Sequence, residues 1–316
     1  MDLIQVIKDK INTLENGDYS KGLNAILTHI EVAFRHLERG QKGDFQCFTD
    51  VIYRTNQAFE GSIKELYRVL THKDPSKKTL NDIESYFTDS NIFRPRVLEQ
   101  FTSYRKNWRN PSTHDYHLDF DDREAYLAII TVSAFSYLLI SQIEDTLISQ
   151  KVEKEIKSQS PTKYISPIKN NDFIADTLKL LEDFCSNKSL WNMFLVGTVH
   201  PMIREHHVIS ALEGYFKSVT SDISLTVEPS LNNDVCPDAI FAKNDEKIIL
   251  ELKAYRRKST KSELERAIVQ VNSYMNLTKI NTSIIFYYAS QPSKFNIQEI
   301  TNIDNKIIIL TPEIKI

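Results

Sequence analysis

The chain has 316 residues, 26% of them charged and 41% hydrophobic, with 39 basic against 42 acidic side chains and a formal net charge of −3. That length suggests two domains, each able to bury its own core. Its 7 glycines, at positions 17, 22, 40, 43, 61, 197 and 214, match neither the G-x-G-x-x-G turn of a dinucleotide-binding fold nor the glycine-rich cradle of a P-loop, which argues against nucleotide-cofactor and Walker-type chemistry.

Cys47, Cys185 and Cys236 form no C-x-x-C pair and leave one over in any disulfide scheme, a usage that fits a reducing cytoplasm. The opening MDLIQVIKDK mixes acid and base and lacks the apolar stretch of a secretion signal. A cytoplasmic protein with no membrane partner is therefore expected.

In chain order, the first half reads as helix after helix. Ile4, Ile7, Ile11 and Leu14 recur at helical spacing, as do Leu23, Ile26, Leu27, Ile30, Phe34 and Leu37, and then Phe48, Val51, Ile52, Phe59, Ile63, Leu66 and Leu70. Pro95 suits the first turn of a further helix carrying Val97, Phe101, Tyr104 and Trp108, which is expected to stop at Pro111. Asp121 with Glu124 resembles a capping box for a last long helix that runs to about residue 157. Its uncharged run 125–143 is long enough to cross a bilayer, but its serines, Thr131 and Gln142 fit a buried core helix better. The sum is an all-α bundle of about five helices over residues 1–155.

Between its helices this bundle carries Arg109, Asn110, Pro111, Ser112, Thr113 and His114. A histidine titrates near neutral pH and can exchange a proton with a ribose 2′-hydroxyl, while a guanidinium grips phosphate bidentately. If the 2′-hydroxyl is the nucleophile, no metal is needed and the substrate is RNA. The R-x4-H spacing, the polar Asn110 after the arginine and the final apolar helix together resemble the HEPN family (higher eukaryotes and prokaryotes nucleotide-binding). The resemblance implies Arg109 and His114 as catalytic residues, Asn110 as a substrate contact, no cofactor, and a homodimer in which two such motifs make one composite site.

Residues 156–171 are polar and broken by Ser158, Ser160, Pro161, Ser166 and Pro167, and read as a linker. The second domain, 172–316, opens with helical stretches at 172–186 and 202–218. Short segments rich in β-branched and aromatic residues follow at 223–228, 236–242, 247–254 and 282–289 and read as strands. A helix with Leu264, Ala267, Ile268, Val271 and Met275 interrupts them over 262–277. The fold class expected here is α/β with a central mixed sheet.

Those strands carry Pro237-Asp238 and, after twelve intervening residues, Glu251-Leu252-Lys253. Alternation puts Glu251 and Lys253 on one face, and the hairpin brings Asp238 beside them. Converging carboxylates suit Mg²⁺, which can polarise a phosphodiester and activate water. Lys253 can orient or deprotonate that water or stabilise charge on phosphorus. Lys253, Arg256, Arg257, Lys258 and Lys261 then follow without an intervening acid, the local charge a phosphate backbone requires. His200, His206 and His207 lack H-E-x-x-H spacing, so zinc is not expected there.

The strand residues and the order of elements resemble the PD-(D/E)xK superfamily of restriction-endonuclease-like nucleases. The resemblance implies Asp238 and Glu251 as ligands of Mg²⁺ or Mn²⁺, Lys253 as the catalytic lysine, Glu205 as a supporting acid with Glu213 as the alternative, and Gln270 and Tyr274, a Q-x-x-x-Y pair, as substrate contacts. The expectation is a two-domain, Mg²⁺-dependent nuclease acting on DNA, dimeric through its helical half, with RNA as a further substrate of that half and a setting in prokaryotic defence. Two alternatives stand beside it: an HEPN ribonuclease whose second domain recruits nucleic acid, and a non-catalytic subunit that binds nucleic acid or a protein partner.

Overall fold

A helix that buries one stripe of apolar side chains needs a neighbour, and the sequence supplies a succession of such stripes. The computed structural model describes residues 2–89, 93, 95–114, 119–159, 172–195, 204–229, 236–255, 261–289, 291–302 and 304–313. The chain divides into two compact units, Met1–Thr146 and Leu147–Ile316.

The first unit is helical: α1 (Leu3–Asn12), α2 (Ser20–Gln41), α3 (Cys47–Thr71), α4 (Leu80–Asp89), α5 (Pro95–Tyr104), α6 (Asn110–His114) and the first part of α7 (Asp122–Gln159). Helices α2 and α3 form an antiparallel pair. A Cβ on Gly22 would strike Glu65, one on Gly61 would press on Ile26 and one on Gly40 would strike the ring of Phe48, so small residues let the helices close on each other along their length. Phe59 of α3 gathers Phe101, Tyr104 and Phe135 at ring separations of 5.5, 4.6 and 4.9 Å. The capping box of α7 forms as read, with reciprocal bonds between Asp121 and Glu124. Helix α7 is long and apolar enough to cross a membrane, yet Ala125, Ile129, Val132, Phe135, Leu139 and Ile143 are buried within the protein.

Two expectations for this half need correction. Pro111 does not stop the helix before it. Residues Arg105–Arg109 widen into a π-helical turn that joins α5 to α6, and Pro111 then falls in the first turn of α6, where a missing N–H is tolerated. The helices also outnumber five, because α4, whose Leu80, Ile83 and Phe87 repeat at helical spacing, and α6 were not anticipated.

The second unit begins inside α7, whose last residues 147–159 remain helical. Residues 160–171 of the expected linker lie outside the described residues. Helices α8 (Phe173–Ser186), α9 (Lys188–Leu195) and α10 (Glu205–Val219) follow, then β1 (Ser224–Val227), β2 (Ala239–Lys243), β3 (Glu246–Ala254), α11 (Lys261–Thr278), β4 (Thr282–Tyr288), β5 (Phe295–Thr301) and β6 (Lys306–Pro312). The six strands form one mixed sheet in the order β1-β2-β3-β4-β6-β5. Pairs β3–β4 and β4–β6 are parallel, and β1–β2, β2–β3 and β5–β6 are antiparallel.

One face of the sheet, with Phe241, Leu250, Leu252, Phe286 and Leu310, packs against Leu181, Phe184, Trp191, Leu212 and Phe216. The other, with Ile240, Ile249, Ile285 and Ile309, packs against Ala267, Val271 and Met275 of α11. Helices α8 to α10 therefore lie on one face and α11 on the other. The central strands β3, β4 and β6 read as near-continuous apolar runs because both of their faces are covered.

Candidate active site

Strand β3 sets the site. Ile248, Leu250 and Leu252 belong to the core beneath α8 and α10, so alternation turns Ile249, Glu251 and Lys253 to the α11 side. Glu251 is only 2% exposed, a position where a carboxylate is costly without compensation. Lys253 Nζ donates to Glu251 Oε1. Glu251 Oε2 is buried without a hydrogen-bond partner.

Asp238 precedes β2 by one residue, just past the Ala239–Leu250 pair. Its Oδ2 accepts a hydrogen bond from the Leu252 backbone N–H at 2.7 Å, which fixes the carboxyl against β3. Glu205, the first residue of α10, shares a hydrogen bond with Asp238. From α11, Gln270 reaches Glu251 and donates to Tyr274 Oη at 2.7 Å. Six of the expected residues, Asp238, Glu251, Lys253, Glu205, Gln270 and Tyr274, are thus brought together. Glu213, the alternative to Glu205, is instead engaged with Lys217 at 2.7 Å along α10.

The electrostatics follow from this crowding. Burial, then the neighbouring Asp238 charge, push Glu251 up to about 7 against the opposing pull of Lys253. Burial and Asp238 likewise push Glu205 up to about 7. Asp238 is itself raised by burial, although the Leu252 N–H favours its charged form. Burial works against the Lys253 ammonium, but Glu251, Asp238 and Glu205 outweigh it, and the net shift is upward. Lys253 therefore stays protonated near neutral pH, so charge stabilisation and orientation suit it better than proton abstraction.

One further acid was missed in the sequence. The Val227–Ala239 pair places Glu228 opposite Asp238. The Glu228 N–H donates to the Asp238 carbonyl at 2.9 Å, and its charge contributes to raising Asp238. It adopts φ of 44°, unusual for a non-glycine residue. Its signal, an acid ending the strand before Asp238, becomes readable only once the β1–β2 register is known.

Of the basic segment, Arg256, Arg257 and Lys258 lie outside the described residues, as does the side chain of Lys261, which opens α11. A broad recess of about 1170 Å³ lies near the start of β3, lined by Asp245, Glu246 and Lys247 among others, and contains none of the six residues.

In the first unit, Arg109 ends the π-helical turn. Its guanidinium donates to Asn110 Oδ1 at 3.2 Å and lies 3.8 Å from Glu60 Oε1. His114 closes α6, and its side chain lies outside the described residues. Ser112, between them, is tied to Asn56 at 2.8 Å. No protein-family model, curated protein or solved structure matches this chain.

Proposed function

We propose that the chain is a divalent-metal-dependent nuclease that hydrolyses DNA phosphodiester bonds at Asp238, Glu251 and Lys253. The observation that carries the reading is a buried, strand-borne Glu251 next to Lys253 and Asp238, with a carboxylate oxygen left unpartnered. The gathered acids and that free oxygen fit a hard cation, and Asp238 and Glu251 are the residues that would hold Mg²⁺ or Mn²⁺. When bound, such an ion polarises the phosphodiester and lowers the pKa of a coordinated water.

The chain's own groups do the rest. Asp238 is oriented by the Leu252 N–H before any ligand arrives. Lys253, which donates to Glu251 in the structure, would offer its ammonium to the charge that develops on the phosphate oxygens. Glu205, with its raised proton affinity, can hold a proton near neutral pH and pass it to the leaving oxygen or share in binding a second ion. Gln270 and Tyr274 present a coupled amide and hydroxyl to the substrate beside Glu251. The first unit is proposed to hold two copies together. Its Arg109, already engaged by Asn110 and Glu60, gives the ribonuclease reading less support than the second unit gives the DNA reading.

The test is purified protein with plasmid, linear and single-stranded DNA and total RNA, each with Mg²⁺ and with chelator. DNA cleavage that needs the metal and disappears in Lys253→Ala and Asp238→Ala is the expected result. DNA cleavage untouched by both changes would end the proposal, and metal-independent RNA cutting lost in His114→Ala would transfer the activity to the first unit.

A further inference from the structure

The three cysteines looked isolated in the sequence, yet one is not isolated in the fold. Helices α2 and α3 turn into each other through residues 42–46, and this corner gathers His36 from the last turns of α2 with Cys47 and Asp50 from the first turn of α3. One donor atom from each of the three lies within 4.8 Å of the others. His36 Nδ1 is 3.8 Å from Asp50 Oδ2, too far for a hydrogen bond, and this nitrogen is shielded from solvent without a hydrogen-bond partner. Cys47 is buried and its thiol donates to Asp44 Oδ2 at 3.2 Å.

We propose that His36, Cys47 and Asp50 form a binding site for one zinc-class divalent ion that clamps the α2–α3 corner. A tetrahedral ion with metal–ligand bonds of about 2.0–2.3 Å separates its ligand atoms by roughly 3.3–3.8 Å. A nitrogen and an oxygen ligand fall at the lower part of that range, about 3.3–3.5 Å, so His36 and Asp50, 3.8 Å apart, must close by a few tenths of an ångström, and the thiol, within 4.8 Å of both, must move inward by up to about 1 Å. One imidazole, one thiolate and one carboxylate form a donor set suited to zinc rather than to magnesium.

The sequence places the ligands economically. Asp44, Cys47 and Asp50 recur every three residues at the start of a helix, so Cys47 and Asp50 share a face. Asp44 is held by Arg39 at 2.9 Å, which leaves the fourth corner to water. Binding exchanges the Cys47 S–H bond for a sulfur–metal bond and releases one proton to solvent, while His36 coordinates as a neutral imidazole through Nδ1. Because the thiol must give up its proton to bind, uptake is expected to weaken as pH falls.

The probe is Co²⁺, titrated into the full chain after chelation. Expected is one equivalent with thiolate-to-cobalt absorption, displaced by Zn²⁺, lost in Cys47→Ser and in His36→Gln, and retained in Cys236→Ser and Asp238→Asn. Asp50 is largely exposed, so Asp50→Asn keeps the fold and tests the ligand set even if Cys47→Ser does not fold. It should weaken Co²⁺ binding by about tenfold or more. Absence of the absorption band, its survival in Cys47→Ser, or an unchanged affinity in Asp50→Asn would each overturn the site. Since Asp238→Asn removes a proposed ligand of the other unit, the outcome is independent of whether the chain cuts DNA.

Discussion

The charged groups of the two units are held in different ways. In the second unit, Asp238, Glu251 and Lys253 are pinned by strand register and a backbone N–H, and burial forces the titrations of the two acids upward. In the first, Arg109 stands in a widened helical turn, partly exposed and already answered by Glu60 and Asn110. A sheet with both faces covered concentrates the energetic cost of a charge, and such cost is tolerated where a function uses it. A helix end carries an arginine at little cost, so its presence there is weaker evidence of chemistry.

The sharpest way to break this comparison is substitution in both places under one assay. Lys253→Ala or Asp238→Asn should lower Mg²⁺-dependent DNA cleavage by about 10³-fold or more, as expected when several kcal/mol of charge stabilisation is removed. Arg109→Ala should leave DNA cleavage within a few-fold of the parent. Plasmid-nicking rates decide the matter, and equal losses in the two units would erase the distinction.

A second contrast concerns packing. A Cβ on Gly61 of the first unit would meet the Ile26 side chain, which can shift, at 3.0 Å, whereas a Cβ on Gly214 would meet the Ser149 backbone oxygen at 2.2 Å. Gly214→Ala is therefore expected to destabilise the second unit by about 1–3 kcal/mol, and Gly61→Ala to cost less. Denaturant melts of the two variants give the ranking.

The effect of pH is smaller, because Glu205 keeps one side open to solvent and its interactions are screened. For Glu205 and Glu251, folded values near 7 exceed the ordinary carboxyl value of 4.5. Between these limits the folded chain binds more protons than the unfolded one, so the stability contribution is fully present below about 4.5 and is lost as pH rises to about 7. The melting midpoint of metal-free protein should fall across that window. Glu251→Gln should flatten the fall and Mg²⁺ should offset it. A midpoint that rises steadily from pH 5 to 7 would contradict the burial described for Glu251. Smallest of all, Tyr274→Phe should reduce cleavage by less than about tenfold, since Gln270 would retain its contact with Glu251.

What was legible in the sequence follows the same division. Strands β1 to β4 and helices α8, α10 and α11 fall within about three residues of their expected ends, because each couples a clear apolar period to polar boundaries. Strands β5 and β6 were missed. β5 is a mostly exposed edge strand without a buried face, and β6 is a short apolar run, Ile307 to Leu310, that periodicity alone cannot assign. The meeting of Asp238 with Glu251 was readable because a hairpin joins them. Glu228 and the His36–Cys47–Asp50 corner were not, since the first needed a strand register and the second the close approach of two helices.

The hairpin also separates two properties of the site in time. β2 and β3 are joined directly, with Lys243 opposite Glu246, so Asp238 and Glu251 can approach through a contact spanning few residues, on the microsecond scale of hairpin formation. The neighbour that encloses Glu251, β4, pairs Ile285 beside it only after the chain has crossed over through α11. Parallel pairing of that kind is non-local and slow. The acids should therefore become neighbours early and take on their high proton affinity late. During refolding, proton uptake by the chain at pH 6 should lag behind hairpin formation, and simultaneous appearance of the two signals would show that the sheet closes in one step.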